Sequence, residues 1–371
     1  MKIIQTFKYR IKDSNSAKIL NKMAGAVNFV WNYCNEVSKK SITYNSKWLS
    51  EYDLNNLTAS CSKELGISSV TVQSVCKEYV VRRVKARKVK LAWRSKVRSL
   101  GWIPTKANAI SMHKDTVTYA GHTFRFWKSR ELFGKIKTAN FSQDANGRWY
   151  MNIQCEVEKY LLQKTGKEIG IDLGLKTIAC DSDGNKYDRE NLTKQFEDKL
   201  AMAQRARKKK LVRSIHAKIR NSRSDWAHKT TTEIVKSYDN IVVGNVSSSK
   251  LIKTNFAKSV SDAGWCQFKS LLAYKAIRFG KDFKEVNESF STVTCSVCLN
   301  KTGASGLSAL GVREWTCSVC GCHHDRDTNA AQNILRMGHH APKGIPLLQL
   351  GEDVKLARQL QKYTNKMQNQ K

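Results

Sequence analysis

The chain has 371 residues, 41% of them hydrophobic, enough for two or three domains and a sizeable core. It carries 65 Lys and Arg against 31 Asp and Glu, a net charge of +34, and such a surplus repels itself unless a polyanion is present. No apolar run approaches a membrane span and no charged, apolar and small-residue leader opens the chain, so the reading excludes a membrane partner, points to the cytoplasm and makes nucleic acid the partner.

Residues 2–11, KIIQTFKYRI, alternate as a strand does. From Ser14 to Lys40 the period turns helical, with Leu20, Met23, Val27, Val30 and Val37 among its apolar positions. Residues 49–60 start another helix, with Asp53 as the predicted N-cap. The next helix begins at Ser68–Ser69 and runs on into a basic stretch. Between Lys77 and Arg98 there are ten Lys and Arg and one acid, Glu78. A charge run is usually a solvated face, but this one is nearly single-signed and interleaved with Tyr79 and Trp93. It fits a phosphate-contacting surface, with Arg82 and Arg83 among the contacts. Between Trp102 and Val157, T-V-T-Y-A, H-T-F-R-F-W and W-Y-M-N-I-Q-C-E-V read as strands bounded by Gly121, Gly134 and D-A-N-G. They predict a small antiparallel β-domain that strand 2–11 joins, with the helices of 14–96 as an insertion.

A second domain starts near Lys167. The apolar strand E-I-G-I-D ends in Asp172. Residues 193–238 form a long helical region whose block from Arg205 to Arg223 contains no acid. Arg205, Arg207, Lys208, Lys209 and Lys210 are its candidate phosphate contacts. Strands are predicted at 240–244 and 282–286 with a helix over 262–280 between them, which implies an α/β layer fold. The Lys- and Gln-rich tail beyond Gly351 is a loosely held helix or disordered.

Near the C-terminus, Cys295, Cys298, Cys317 and Cys320 make C-x2-C-x18-C-x2-C, the spacing of a structural zinc ribbon in which two turns close a tetrahedral site around Zn²⁺. Cys322 is the alternative ligand, but Cys320 completes the spacing better. The other cysteines (Cys34, Cys61, Cys76, Cys155, Cys180 and Cys266) read as buried free thiols of a reducing compartment. Five residues after the last ligand comes D-R-D-T-N-A-A-Q-N. Its helical tail puts Asp325 and Asp327 at a helix start, where free N–H groups favour carboxylates. A strand-end Asp such as Asp172 is, taken alone, more often a turn residue. Paired with Asp327 in a basic chain with a ribbon, it points to hydrolysis of phosphodiesters with Mg²⁺ or Mn²⁺ held between carboxylates.

G-I-D-L-G-L-K, the acid-free basic block, I-V-V at a strand end, the two C-x2-C turns and D-R-D-T-N-A-A-Q-N together resemble the transposon-encoded TnpB proteins, relatives of the compact type V CRISPR effectors. The likeness extends over nearly the whole chain and is most specific in the C-terminal motifs. It implies an RNase H-like RuvC nuclease domain (166–287 and 324–350) with an inserted zinc ribbon that binds target nucleic acid (288–323) and a C-terminal tail (351–371). Before these it implies a small β-barrel-like wedge domain (1–13 and 97–165) carrying a helical recognition insertion (14–96). The activity implied is RNA-guided cleavage of double-stranded DNA beside a short flanking motif, with a guide RNA as partner and cofactor, in a prokaryotic cytosol. Tyr52, Asn56 and Gln73 on the recognition helices are the candidate readers of that motif, Gln being suited to adenine. One departure matters. Where the family has a catalytic Glu at the end of the middle nuclease strand, this chain has Gly244. Either the protein is a nuclease-deficient RNA-guided repressor, or another carboxylate serves. Glu288, just past the neighbouring strand, is the candidate, with Glu285 as the fallback.

Overall fold

The computed structural model describes residues 2–189, 191–246, 251, 257–305 and 311–340. The predicted tail at 351–371 and the last ten residues of the predicted nuclease domain lie outside them. The chain divides into two compact units, Met1–Glu158 and Lys159–Lys371.

In the first unit, β1 (Lys2–Ile11) leads into α1 (Ser14–Asn45), α2 (Glu51–Leu57), α3 (Cys61–Leu65) and α4 (Ser69–Ala86). Six further strands follow: β2 (Trp102–Lys106), β3 (Ile110–His113), β4 (Thr116–Tyr119), β5 (His122–Trp127), β6 (Lys135–Gln143) and β7 (Trp149–Glu158). All seven form one antiparallel sheet in the order β2-β6-β7-β1-β5-β4-β3. On a flat sheet, strands four places apart would stand about 19 Å from one another. Yet Tyr119 on β4 and Phe141 on β6 have ring centroids 5.4 Å apart, and Phe124 on β5 lies 5.8 Å from Phe141. The sheet is therefore curled into a nearly closed barrel around an aromatic core.

α1 starts where Asp13 accepts the backbone N–H of Ser16, and it buries Leu20, Met23, Val27, Val30, Trp31 and Cys34, the stripe expected of an amphipathic helix. Asp53 is not the N-cap of α2. Ser50 is, and Asp53 completes a capping box by accepting the Ser50 N–H at 2.8 Å. The basic stretch is not one helix either. α4 stops at Ala86, with Arg87 left-handed at φ 51°. Residues 91–94 then run along α1 as an extended segment. Asn35 bonds both N–H and C=O of Leu91, and Asn32 does the same for Arg94. Two amide side chains on a helix thus satisfy the backbone of a segment that has no sheet partner, an arrangement that periodicity does not reveal.

In the second unit, β8 (Glu168–Asp172), β9 (Ala179–Asp181) and β10 (Lys186–Tyr187) make an antiparallel meander. The helical stretch breaks into α5 (Leu192–Gln195), α6 (Glu197–Arg205) and α7 (Lys209–Ser237). After it come β11 (Asn240–Gly244), α8 (Ala257–Ala263), α9 (Trp265–Phe279), β12 (Asp282–Val286), β13 (Glu314–Thr316), β14 (His323–Asp325) and α10 (Arg326–His340). The five-stranded sheet has the order β10-β9-β8-β11-β12, with β11 parallel to both β8 and β12. Strand side chains alternate between faces. Ile169, Ile171, Ile241 and Val243 pack with Trp265, Phe268 and Leu272, while Val242 and Val286 pack with Ile334 of α10. Covered on both faces, β8 and β11 read as continuous apolar runs. α10 comes so close to β8 that a Cβ at Gly170 would overlap the carbonyl oxygen of Ala331. That glycine lets the helix bearing Asp327 lie directly over the strand bearing Asp172.

Candidate functional site

Asp172, Gly244 and Val286 end three adjacent parallel strands, with Ile171 opposite Val243 and Gly244 opposite Val286. Glu288 lies two residues past β12, and its carboxylate folds back over Gly244. A Cβ built at Gly244 would overlap Glu288 Oε2 and lie 3.2 Å from Glu288 Cβ. The Glu288 side chain therefore occupies the space into which a side chain at position 244 would project. The absence of one there is what admits it.

Asp172 is drawn into the same cluster. Its pKa is pushed up to about 7 by burial, then by the charge of Glu288, then by that of Asp327. A nearby carboxylate raises the pKa of another by disfavouring its charged form. Glu288 is also raised, mainly by burial, with Lys269 opposing. Its Oε2 is buried without a hydrogen-bond partner. Asp327 sits in the first turn of α10 and takes a 3.4 Å ion pair from Arg313. Asp325 does a different job: its Oδ1 accepts the N–H groups of Asp327 and Thr328, capping the helix, and its Oδ2 pairs with Lys186 at 2.9 Å. Glu285, the fallback, is held by Lys269 at 2.6 Å. Carboxylate oxygens are the donors a hard divalent cation takes, and one oxygen of Glu288 is buried without a partner, but among the described residues only the four cysteines form a group of three or more with donor atoms within 4.8 Å of one another.

In the ribbon, the four sulfurs of Cys295, Cys298, Cys317 and Cys320 all lie within 4.8 Å of one another, Cys295–Cys320 at 3.7 Å and Cys298–Cys317 at 3.5 Å. Four thiolates each about 2.3 Å from a zinc ion would stand about 3.8 Å apart, so the set fits that metal. Cys322 is not part of this four-cysteine group; its carbonyl accepts the Cys317 N–H. Thr302 donates to Cys317 Sγ at 3.1 Å and is the largest cause holding that thiol down at about 6. His324 was missed by sequence reasoning. Buried against Trp315, it places Nε2 3.1 Å from Cys295 Sγ. The strand alternation of H-H-D, which turns His323 out and His324 in, was the available signal. Cys34, Cys76, Cys155 and Cys180 are buried as expected, but Cys61 is half-buried and Cys266 exposed.

Among the nucleic-acid candidates, Arg205, Arg207, Lys208, Lys209 and Lys210 are exposed. They flank the break between α6 and α7: Arg205 ends α6, Arg207 and Lys208 lie in the turn with Arg207 left-handed at φ 50°, and Lys209 and Lys210 open α7. In the other unit Tyr52, Asn56 and Gln73 are exposed, and Arg82 is half-exposed and paired with Glu78. Arg83 is a correction. It is 2% exposed, donates to the carbonyl of Leu49 and lies between Trp48 and Tyr79. Its charge holds α4 to the Leu49 segment and is not on offer to a phosphate.

Two stretches of the chain match known families. Residues 152–255 match the family described as "Probable transposase", and residues 265–334 match the "Cas12f1-like, TNB domain". Two relatives carry the name "Putative RNA-guided DNA endonuclease". One, from Streptomyces pristinaespiralis, is 34% identical over 54% of this chain and 52% of its own length. The other, InsQ of Escherichia coli K12, is 25% identical over 99% of both chains. A TnpB-like protein of Acanthamoeba polyphaga mimivirus is 25% identical over 82% of this chain and 62% of its own. A solved Cas12f1–guide RNA–target DNA complex aligns with 90% of this chain and 99% of its own at 14% identity, with a TM-score of 0.35. The resemblance to TnpB proteins carried by the C-terminal motifs thus recurs in the families matched and in the names of these relatives. Among the described residues no helix is long and apolar enough to cross a membrane.

Proposed function

We propose that the chain is an RNA-guided DNA endonuclease that cuts guide-matched double-stranded DNA beside a short flanking motif. The observation that carries this is the fold-back of Glu288 over Gly244, into the charge neighbourhood of Asp172 and Asp327. The strand order, a three-strand meander extended by two parallel strands, supports an RNase H-like RuvC domain. In this reading the curled sheet of the first unit is the wedge, its helices are the recognition insertion, and the ribbon contacts target nucleic acid. The ribbon's closed four-thiolate set would hold a structural Zn²⁺.

Asp172, Glu288 and Asp327 would hold Mg²⁺ or Mn²⁺, which supplies charge neutralisation at the phosphate and a nucleophilic water. The protein's own part is to bring three negative charges together at the end of a rigid sheet. It also leaves Glu288 Oε2 free of competing donors. Exposed Arg and Lys at 205–210, around the α6–α7 break, would track the phosphate backbone, leaving sequence to base pairing with a guide RNA.

The test is cleavage of guide-matched DNA by the purified complex. Wild type should cut with Mg²⁺ or Mn²⁺. Glu288→Gln, Asp172→Ala and Asp327→Ala should each stop cleavage and leave DNA binding and bound RNA unchanged. The substitution of Gly for the strand-end Glu favours a second reading, a nuclease-deficient repressor. That reading predicts no cleavage by wild type and unaltered repression by all three variants.

A further inference from the structure

Glu288 stands just before a run of turns, on neither a strand nor a helix. Phe290 is left-handed at φ 67°, and the Ser291 N–H donates to the Glu288 carbonyl at 3.0 Å. A turn segment of this kind does not by itself hold a carboxylate to the tolerance a metal site needs. What holds it comes from α10. Asn329 and Asn333, one helical turn apart and each 1% exposed, aim their amides at the same two carbonyls. Asn329 Nδ2 donates to Ser291 O at 3.2 Å and to Thr294 O at 2.8 Å. Asn333 Nδ2 donates to Ser291 O at 2.8 Å and to Thr294 O at 2.7 Å. Each amide thus directs both N–H groups at the loop, and each carbonyl receives two. The remaining acceptors are also engaged. Asn329 Oδ1 accepts the Ser296 N–H at 2.8 Å, inside the first C-x2-C turn, and Asn333 Oδ1 accepts from Arg336 at 2.9 Å.

We propose that Asn329 and Asn333 are positioning residues of the carboxylate site. They clamp the Glu288 loop to the helix that begins with Asp327, so that the two carboxylates move as one body. Buried amides of this kind are costly unless every group is paired, and here the pairing runs from α10 to the loop that carries Glu288. The clamp rests on the reading of Glu288 as a site carboxylate.

The experiment measures Mn²⁺ binding by electron paramagnetic resonance, on the full-length protein as purified with its bound RNA. Asn333→Leu should weaken binding at the carboxylate site about tenfold, the scale of loss when a ligand's supporting partner is removed. Asn333→Ser, which keeps one donor and is the safer variant for folding, should weaken it less. Adding Asn333→Leu to Glu288→Gln should cost nothing beyond Glu288→Gln alone, because the clamp then has no ligand to place. Zinc content should stay at the wild-type level, and amides 288–294 should exchange hydrogen faster in Asn333→Leu. Wild-type Mn²⁺ binding by both Asn333 variants overturns the clamp, as do additive losses in the double variant or loss of zinc alongside Mn²⁺. If Glu288→Gln itself binds Mn²⁺ as wild type does, the reading of Glu288 fails and takes the inference with it. That result differs from failure of the clamp alone, in which Glu288→Gln weakens binding and the Asn333 variants do not.

Discussion

Gly244 is the residue on which the carboxylate site turns. A methyl group there overlaps Glu288 Oε2 and stands 3.1 Å from Ile334 Cδ1. Gly244→Ala should therefore push Glu288 aside and slow single-turnover cleavage by about 100-fold, the scale of an ångström-sized misplacement. An unchanged rate would mean that Glu288 is not placed by that gap. Lys275 offers a separate test. It is 5% exposed, donates to Thr231 and Thr232 hydroxyls at 2.7 Å each, and has its pKa lowered by burial to about 8. Its folded pKa lies below the unfolded value, so between pH 8 and about 10.5 the unfolded chain binds more protons and stability rises with pH. In urea titrations, the stability difference of wild type over Lys275→Met should grow from pH 7 to pH 10. A flat difference would mean that the ammonium is not desolvated.

At the scale of elements, the ribbon and the basic turn behave differently. β13 and β14 are only three residues each, burying Trp315 and His324, and the ribbon's hydrophobic cluster is just Cys295, Trp315 and Cys317 with Cys298 against it. With so little apolar burial, a bound metal would supply much of such a unit's folding energy. Cys317→Ser should lose zinc by metal analysis and lower the melting temperature of the second unit. Protein purified with no zinc at all would end the assignment. Neutralising Arg205, Arg207, Lys208, Lys209 and Lys210 together should flatten the salt dependence of nucleic-acid binding by about 0.7–0.9 in slope for each phosphate the protein ceases to neutralise. An unchanged slope would place the phosphate-binding surface elsewhere. The break between α6 and α7 was not legible in composition, because nothing in R-A-R-K-K-K stops a helix. The turn is set instead by Leu192, Ala203, Ile215 and Ile219, which pack α5, α6 and α7 against one another.

For the whole molecule, a net charge of +34 without a bound polyanion is self-repelling. The purified protein should carry RNA of defined sequence, and stripping that RNA with nuclease should lower the melting temperature. Recovery of the protein free of RNA, with the same stability before and after nuclease, would count against a guide-bound particle.

The sequence by itself determined whatever depends on residue type at short range. Cysteine spacing announced the four-sulfur cluster, because two C-x2-C turns can close on one ion without help from the rest of the chain. Alternation announced strands such as β1 and β7, and apolar runs announced β8 and β11. Only the tertiary structure decided what depends on partners distant in the chain. Arg83 became a buried tether because its charge met the carbonyl of Leu49. Residues 91–94 lay along α1 because Asn32 and Asn35 satisfied their backbone. Asn329 and Asn333, two polar residues on a helix, became a clamp because the loop after β12 comes back beneath α10. Glu288 came to lie over Gly244 because β12 pairs in parallel beside β11 and a glycine left room. Nothing local in either segment encodes that pairing. It follows from burying both faces of one sheet.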